Sequence, residues 1–195
     1  MKKIICLLLI ALLAACTSIV KVDGDQVVRN RMSLKVTDAW NKIPGISGQP
    51  FDIWTQEGVT VDTLRFWVAI PDNGELIKLP SGWVAQGAKA ARAPRFVVGM
   101  QPDQLVNLFE VLYSTDGSNV SVNKVEPTVF AGEKGVRFEF SMIRKSDDVQ
   151  LRGVGWVAVK KNELFAATFV APRLSFFPRL VGKAESVVKT AQIKG

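Results

Sequence analysis

Residues 135–171 read GVRFEFSMIRKSDDVQLRGVGWVAVKKNELFAATFVA. From Val136 to Met142, apolar residues alternate with polar ones, which is the two-residue period of a half-buried β-strand. Asp147-Asp148 and Lys161-Asn162 interrupt the apolar runs with residues that favour tight turns. Together with a run upstream, the stretch predicts four strands, over 120–125, 135–144, 149–160 and 164–171. Because the connections are short, successive strands should pair as antiparallel neighbours in a meander.

Two helices are predicted beside this meander. The first begins at Pro102, which suits an initial helical position, and Asp103 follows at the positive end of the helix dipole. The second begins near Pro178. Each has an apolar face at helical spacing, formed in the first by Leu105, Leu108, Phe109, Leu112 and Tyr113, and in the second by Phe177, Leu180, Val181, Ala184, Val187, Val188 and Ala191. The predicted fold class is α+β: an antiparallel sheet with a C-terminal four-strand meander, covered by an internal helix and a C-terminal helix.

Gly153 and Gly155 lie two residues apart and therefore on one face of the third meander strand. Without side chains, that face leaves room for a helix or a large aromatic residue to approach closely. We expect the C-terminal helix to cover it.

The N-terminal half of the domain is predicted to be less regular. Apolar runs predict strands over 28–36, 51–55 and 59–70, the last two joined near Glu57-Gly58. Thr37-Asp38 predicts a helix cap, before a short helix that Pro44 stops. The stretch from Glu75 to Pro94 predicts a long irregular segment of the kind that often carries function. Its candidate polar and aromatic residues are Trp83, Lys89 and Arg92, with Arg95 directly after it.

The first fifteen residues have the layout of an export signal. Lys2 and Lys3 precede an unbroken apolar run from Ile4 to Ala15, which ends in small residues. The run has about a dozen residues, whereas a helix needs about twenty to cross a bilayer. We therefore expect a cleavable signal and not a permanent membrane span.

Leu13-Ala14-Ala15-Cys16 resembles the lipobox of bacterial lipoproteins. The resemblance implies that the signal is cut before Cys16 and that the Cys16 thiol carries a diacylglyceryl group, whose two acyl chains suffice for stable anchoring in a lipid bilayer. Thr17 stands where an aspartate would resemble the inner-membrane retention signal of enteric bacteria. A Gram-negative source therefore predicts the outer membrane, facing the periplasm, and any other source predicts a lipid anchor in the cell membrane. The alternative is a secreted protein in which Ala15-Cys16 is a chance match.

These features predict three parts of the chain. Residues 1–15 are the signal peptide, residues 16–26 a lipidated tether that ends in a turn at Asp23-Gly24-Asp25, and residues 27–195 a single globular domain. A chain of 195 residues is long enough to bury a core without disulfides.

The amino-acid composition excludes several catalytic mechanisms. The chain contains no histidine, the commonest general base and metal ligand. Its two cysteines are Cys6, inside the signal, and Cys16, so no thiol remains in the domain for a disulfide, a nucleophile or a metal. We therefore predict no catalytic residue, metal or cofactor. The net charge of +7 suits solubility or contact with anionic lipid head groups, and export makes nucleic acid an unsuitable partner.

The order of a helix, a four-strand meander and a C-terminal helix over residues 97–193 resembles the PsbP-like group of α/β/α sandwiches. The resemblance rests on the meander and the last helix, without a diagnostic motif. It implies a binding or assembly accessory that works beside a membrane. It transfers no site residue, because a shared fold does not specify function.

The connection before the last helix is a candidate contact for a partner or an anion. Arg173 and Arg179 could bind phosphate there, while Phe176 enters an apolar surface. The structural alternative is a rigid link between strand and helix whose aromatic residues close the core.

A second candidate lies on the strands. Arg65 stands at the heart of one strand, and Arg137 and Arg152 fall on neighbouring strands of the meander, where they could form an anion-binding patch. The structural alternative is a cross-strand ion pair between Arg152 and Glu139, which would contribute a few tenths of a kcal/mol.

Three hypotheses about function follow. The leading one is a membrane-anchored periplasmic lipoprotein, a non-enzymatic binding or envelope-assembly accessory whose partners are the bilayer, through acylated Cys16, and another envelope protein or lipid. The second is a carrier of an apolar ligand such as a lipid, held between the sheet and its helices. The third is a carboxylate-dependent enzyme acting on glycan, which requires two acids converging in a cleft about 5–10 Å apart.

Overall fold

The computed structural model describes residues 19–44, 48–79 and 92–194. The predicted signal, Cys16, Trp83 and Lys89 lie outside these residues. In the described ranges the strands are β1 Val20–Val28, β2 Met32–Ile43, β3 Phe51–Thr55, β4 Thr63–Ile70, β5 Asn119–Phe130, β6 Glu133–Ile143, β7 Gln150–Lys160, β8 Glu163–Pro172 and β9 Gln192–Ile193, and the helices are α1 Pro102–Ser114 and α2 Phe176–Lys189. They form an antiparallel sheet in the order β1-β2-β3-β4-β8-β7-β6-β5, with β9 pairing to β2.

The meander predicted from the sequence is confirmed. β5, β6, β7 and β8 pair in succession, and the turns between them use Ala131-Gly132 and Lys161-Asn162, which have positive φ. β5 runs to Phe130, beyond the predicted end at Val125. Pro127 lies within this extension, and it is tolerated because β5 is an edge strand of the described sheet.

Both predicted helices are present, one on each face of the sheet, which confirms the α+β fold class. The face under α1 is packed by alternate residues of β6, including Val136, Phe138, Phe140 and Met142. The face under α2 is packed by alternate residues of β7 and β8, including Val154, Trp156, Phe165 and Phe169. The period-two alternation of each strand therefore supplies two separate cores.

The glycine gap in β7 belongs to the face under α1, and the expectation that the C-terminal helix covers it was wrong. Gly153 pairs with Phe140 and Gly155 pairs with Phe138 across the β6–β7 ladder. A Cβ atom added to either glycine would overlap the facing phenylalanine ring. The two rings, and not a helix, occupy the space that the glycines leave.

The N-terminal strands differ from the prediction. β1 begins at Val20, within the segment predicted as a tether, and Gly24 pairs with Val36 in the β1–β2 ladder instead of forming a turn. The chain turns at Arg29-Asn30, both with positive φ, near the start of the predicted strand 28–36. β2 then continues to Ile43. Thr37, Asp38 and Ala39 lie opposite Asp23 as an irregularity within this strand, and they do not cap a helix.

The hairpin of β3 and β4 is confirmed, with a later start for β4 at Thr63. The loop before it folds around the carboxylate of buried Asp62. That carboxylate accepts hydrogen bonds from the hydroxyl of Thr55 (2.9 Å) and from the backbone N–H groups of Gln56 (2.9 Å) and Glu57 (2.8 Å). These three bonds fix the end of β3 relative to the start of β4.

We expect Gly155→Ala to destabilise the domain by about 1–3 kcal/mol, because the new methyl group overpacks the Phe138 ring. Gly182→Ala is the matched control: Gly182 lies on an exposed turn of α2 with no atom within 4 Å of an added Cβ. That change should stabilise the helix by up to about 1 kcal/mol. Urea unfolding followed by tryptophan fluorescence measures both, and equal stability of the two variants would contradict the packing described.

Candidate functional site

A cleft of about 390 Å³ opens on the α1 face of the sheet, where the end of α1 meets the start of β4. Its volume falls in the range of about 300–1,000 Å³ typical of small-molecule sites. Its lining combines charged and hydroxyl groups with apolar residues. The apolar lining residues are Val59, Val61, Ile77, Leu79, Leu112, Met142, Leu151 and Val170.

Arg65 lines the cleft from β4, and two aromatic rings flank its guanidinium. The Cζ atom lies 5.3 Å from the ring centroid of Phe51 and 5.5 Å from that of Tyr113. Cation–π attraction to both rings restricts where the guanidinium lies. The strands position the flanking groups, since Arg65 pairs with Ile53 of β3 and with Thr168 of β8.

Tyr113 is buried beside Arg65 and keeps its proton. Its hydroxyl lies 2.5 Å from the hydroxyl of Thr168. Burial raises the pKa of Tyr113 above its usual value, although the positive charge of Arg65 acts in the opposite direction. A neutral tyrosine does not compensate the charge of Arg65.

The positive charge of Arg65 has no acidic partner in the described ranges. No carboxylate lies within 4.0 Å of its guanidinium there, and its buried Nε has no hydrogen-bond partner among those residues. The remaining residues, 1–18, 45–47, 80–91 and 195, contain no aspartate or glutamate. A buried donor without a partner costs about 1–3 kcal/mol.

The other charged groups of the cleft are more fully compensated. Asp62 uses its carboxylate in the β3–β4 loop, and Asp116 accepts a hydrogen bond from the N–H of Ser118 (2.9 Å). Arg144 donates twice to Asp147, at 2.8 and 2.7 Å. Lys78 is exposed at the rim. The cleft therefore presents Arg65 in its interior and a lysine at its mouth.

The sequence-predicted patch of Arg137 and Arg152 lies on the opposite face, under α2, so Arg65 is not part of it. Arg137 donates to Glu126 (2.9 Å), Glu139 (2.8 Å) and Glu185 (3.0 Å). Arg152 donates to Glu139 at 2.6 Å. Three carboxylates thus compensate two guanidinium groups, which favours the structural alternative, the ion pair, over an anion site.

Arg173, Phe176 and Arg179 do not converge on one point. Arg173 lines a groove with Arg137 and Arg152. Arg179 pairs with Glu57 of the β3–β4 loop at 3.0 Å, and its guanidinium lies 4.9 Å from the centroid of the Phe176 ring. These contacts connect α2 to the sheet, while a role of the three residues in binding a partner stays a prediction.

The carboxylates with shifted pKa values are unsuited to act as general acids near neutral pH. Hydrogen bonds from lysine or arginine hold the pKa of Glu126, Glu139 and Asp147 below the usual range. Among the described residues, no cluster of three acidic side chains could hold a metal ion. In the same ranges, no helix has the length and apolar composition needed to span a bilayer.

Comparison with solved structures identifies the fold. The solution structure of cyanobacterial PsbP (CyanoP) from Synechocystis sp. PCC 6803 matches with a TM-score of 0.55 and 9% sequence identity, over 93% of this chain and 95% of that chain. A crystal structure from Bacteroides thetaiotaomicron VPI-5482 matches with a TM-score of 0.51 and 11% identity, over 89% of this chain and 50% of that chain. The PsbP-like resemblance predicted for residues 97–193 is therefore confirmed for the fold.

The remaining comparisons do not extend this result. LpqN, involved in cell envelope biogenesis of Mycobacterium tuberculosis, gives a TM-score of 0.43 at 11% identity, over 84% of this chain and 83% of that chain, which is too weak to support a conclusion. No protein-family model and no curated protein matches the chain. Identities of 9–11% bear on the fold alone, so function must be argued from the cleft and the sequence.

The sequence analysis named Arg65 only beside Arg137 and Arg152 and placed Tyr113 in the core, so it did not bring Arg65 and Tyr113 together. The available signal was the position of Arg65 in Thr63-Leu64-Arg65-Phe66-Trp67, where a charged residue takes an inward-facing place between buried apolar residues. A charge at such a place is rare unless it has a partner. The pattern indicated an unusual position, but not which residues surround it.

We expect Glu139→Gln to lower the free energy of unfolding at pH 7 by about 1 kcal/mol, since it removes the carboxylate that Arg152 and Arg137 share. Arg152, followed by Arg137, depresses the pKa of Glu139. A carboxylate with a depressed pKa stabilises the fold above its unfolded pKa of about 4.3, and this contribution is lost as the pH falls through the folded pKa. The difference from wild type should therefore shrink below about pH 4.

Urea titrations at several pH values measure this dependence. Asp148→Asn is the control, because Asp148 is exposed and forms no ion pair with a described residue, and it should leave stability nearly unchanged. A Glu139→Gln deficit that stays constant from pH 7 to about pH 3 would show that packing, not charge, causes it.

Proposed function

We propose that this chain is a lipid-anchored, non-catalytic binding protein of the bacterial envelope, and that the cleft around Arg65 is its binding site. The observation that carries the binding role is the guanidinium of Arg65, which lies between two aromatic rings without a carboxylate partner among the described residues. Such a group is prepared for an anionic ligand. In a Gram-negative cell the proposed location is the outer membrane, facing the periplasm.

The proposed anchor is Cys16, and the fold is compatible with a short attachment. β1 begins at Val20, so only three residues separate the folded sheet from the lipidated cysteine. At about 3.5 Å per residue, these positions span at most roughly 14 Å. Ile19 and Val20 are 62% and 50% exposed. The anchored domain would therefore sit close to the bilayer surface and not at the end of a long tether.

Binding is favoured over catalysis by the chemistry of the chain. The domain contains no histidine, and its only cysteine would be the acylated one. In the cleft, the carboxylates of Asp62 and Asp116 are engaged in loop hydrogen bonds. A glycosidase-type mechanism needs one protonated and one ionised carboxyl group placed on either side of a bond. The cleft offers a cation and an apolar wall instead.

The carrier hypothesis has one specific observation in its favour. The space that the glycines of β7 leave is filled by Phe138 and Phe140, so a ligand does not enter there. The Arg65 cleft has an apolar side formed by both the sheet and α1, through residues such as Met142 and Leu112. A carrier role would therefore use this cleft.

The anchor is tested by expressing the full chain in a Gram-negative host with alkyne-labelled palmitate. We expect wild type and Cys6→Ser to be processed, labelled and recovered with outer membranes. Cys16→Ser should be unprocessed and unlabelled, because it lacks the thiol that accepts the diacylglyceryl group. Cys6→Ser is the matched control, since it also removes a thiol from the N-terminal segment. Normal processing and labelling of Cys16→Ser would overturn the proposed anchoring.

A further inference from the structure

We propose that the Arg65 cleft binds an amphipathic carboxylate, such as a medium-chain fatty acid, with the carboxylate on Arg65 and the chain against the apolar wall. This inference rests on the binding role given above and is independent of the anchor. It names the class of ligand, which neither the fold nor its structural neighbours specify. Three properties of the cleft support it.

The first property is the state of the guanidinium. Arg65 has no carboxylate within 4.0 Å in the described ranges, and the residues outside those ranges carry no acidic side chain. The planar guanidinium group can bind one carboxylate through two parallel hydrogen bonds. The rings of Phe51 and Tyr113, at 5.3 and 5.5 Å, limit its movement. A ligand carboxylate would therefore meet a donor that is already positioned.

The second property is the charge of the whole cleft. Among the residues that line the cleft, Arg65 and exposed Lys78 have no ion pair with a described residue, while Arg144 is paired with Asp147. Asp62 and Asp116 also line the cleft, and their negative charges oppose a ligand with several charges. This balance suits a ligand with one negative charge better than a phosphate dianion.

The third property is the apolar wall. Leu112 of α1, Met142 of β6, Leu151 of β7 and Val170 of β8 all line the cleft. They are buried residues of the core on the α1 face, so a chain lying on them continues an existing apolar surface. A volume of about 390 Å³ accommodates a small amphipathic molecule and not a whole diacyl lipid. The ligand is therefore a single chain.

The test uses the full-length protein in host membranes and a dodecanoic acid probe that carries a diazirine near its methyl end. Light should crosslink the probe to the wild-type chain at peptides containing Leu112, Met142, Leu151 or Val170. Dodecanoate should compete, whereas dodecanol, which has the same chain without the charge, should not. Dodecyl phosphate and inorganic phosphate are the further competitors.

Three variants assign the contacts. Arg65→Gln should reduce labelling about tenfold, as expected for the loss of a charge-assisted hydrogen-bond pair, and Arg65→Lys should retain part of it. Arg173→Gln is the control, because Arg173 lies on the α2 face and is exposed. Val59→Trp places a large side chain at a lining position that is 47% exposed. It should block labelling without disturbing the core, and it carries the test if Arg65→Gln fails to fold.

Each outcome decides the question. Equal labelling of wild type, Arg65→Gln and Val59→Trp would overturn the site, and so would crosslinks outside the cleft. Competition by dodecanol equal to that by dodecanoate would overturn recognition of the charge. Stronger competition by dodecyl phosphate or inorganic phosphate would overturn the carboxylate. Failure of the anchor would appear separately, as unlipidated protein outside the membrane fraction whose cleft is still labelled by the probe.

Discussion

The contact of Phe138 and Phe140 with the two glycines of β7 determines how the α1 face is built. Because the glycines have no side chains, the tips of the two rings occupy the space above the neighbouring strand, with centroids 6.0 Å apart. Phe109 of α1 then packs on Phe138 at 5.4 Å, and Tyr113 packs on Phe140 at 5.0 Å. Two positions one helical turn apart are thus fixed on the sheet. The row of rings ends at Tyr113, which forms one side of the site of Arg65.

The two faces of the sheet handle buried charge in different ways. On the α2 face, Arg137 lies among Glu126, Glu139 and Glu185, whose carboxylates accept hydrogen bonds from its Nη1 and Nη2 groups. On the α1 face, Arg65 has aromatic rings where the other face has carboxylates. Rings attract a cation but accept no strong hydrogen bonds. The first arrangement stabilises the fold through ion pairs, whereas the second leaves Arg65 without a carboxylate partner among the described residues.

The parts of the fold that the sequence predicted are those in which local pattern and tertiary environment agree. In the meander, residues 136–142 alternate strictly and turn residues separate the apolar runs that follow, and α1 shows an apolar stripe, so each could be recognised without knowledge of its neighbours. The β1–β2 hairpin has no such signal: its turn uses Arg29-Asn30 in place of glycine, and β2 contains an irregularity at residues 37–39. The Arg65 site could not be predicted for a related reason. Phe51 and Tyr113 come from separate elements: the pairing of β3 with β4 places Phe51, and the packing of α1 on Phe140 of β6 places Tyr113.

The register of the sheet also connects the proposed anchor to the cleft. Val20 pairs with Lys42, Lys42 with Trp54, and Trp54 with Leu64, the residue before Arg65. Paired Cα atoms lie about 4.5–5.5 Å apart, so Val20 and Leu64 are separated by at most roughly 16 Å. With a tether of about 14 Å or less, an acylated Cys16 would hold the cleft within roughly 30 Å of its attachment point. An amphipathic carboxylate leaving the bilayer surface would then have only a short path to Arg65. The proposed anchor would thus keep the cleft near the bilayer from which the proposed ligand comes.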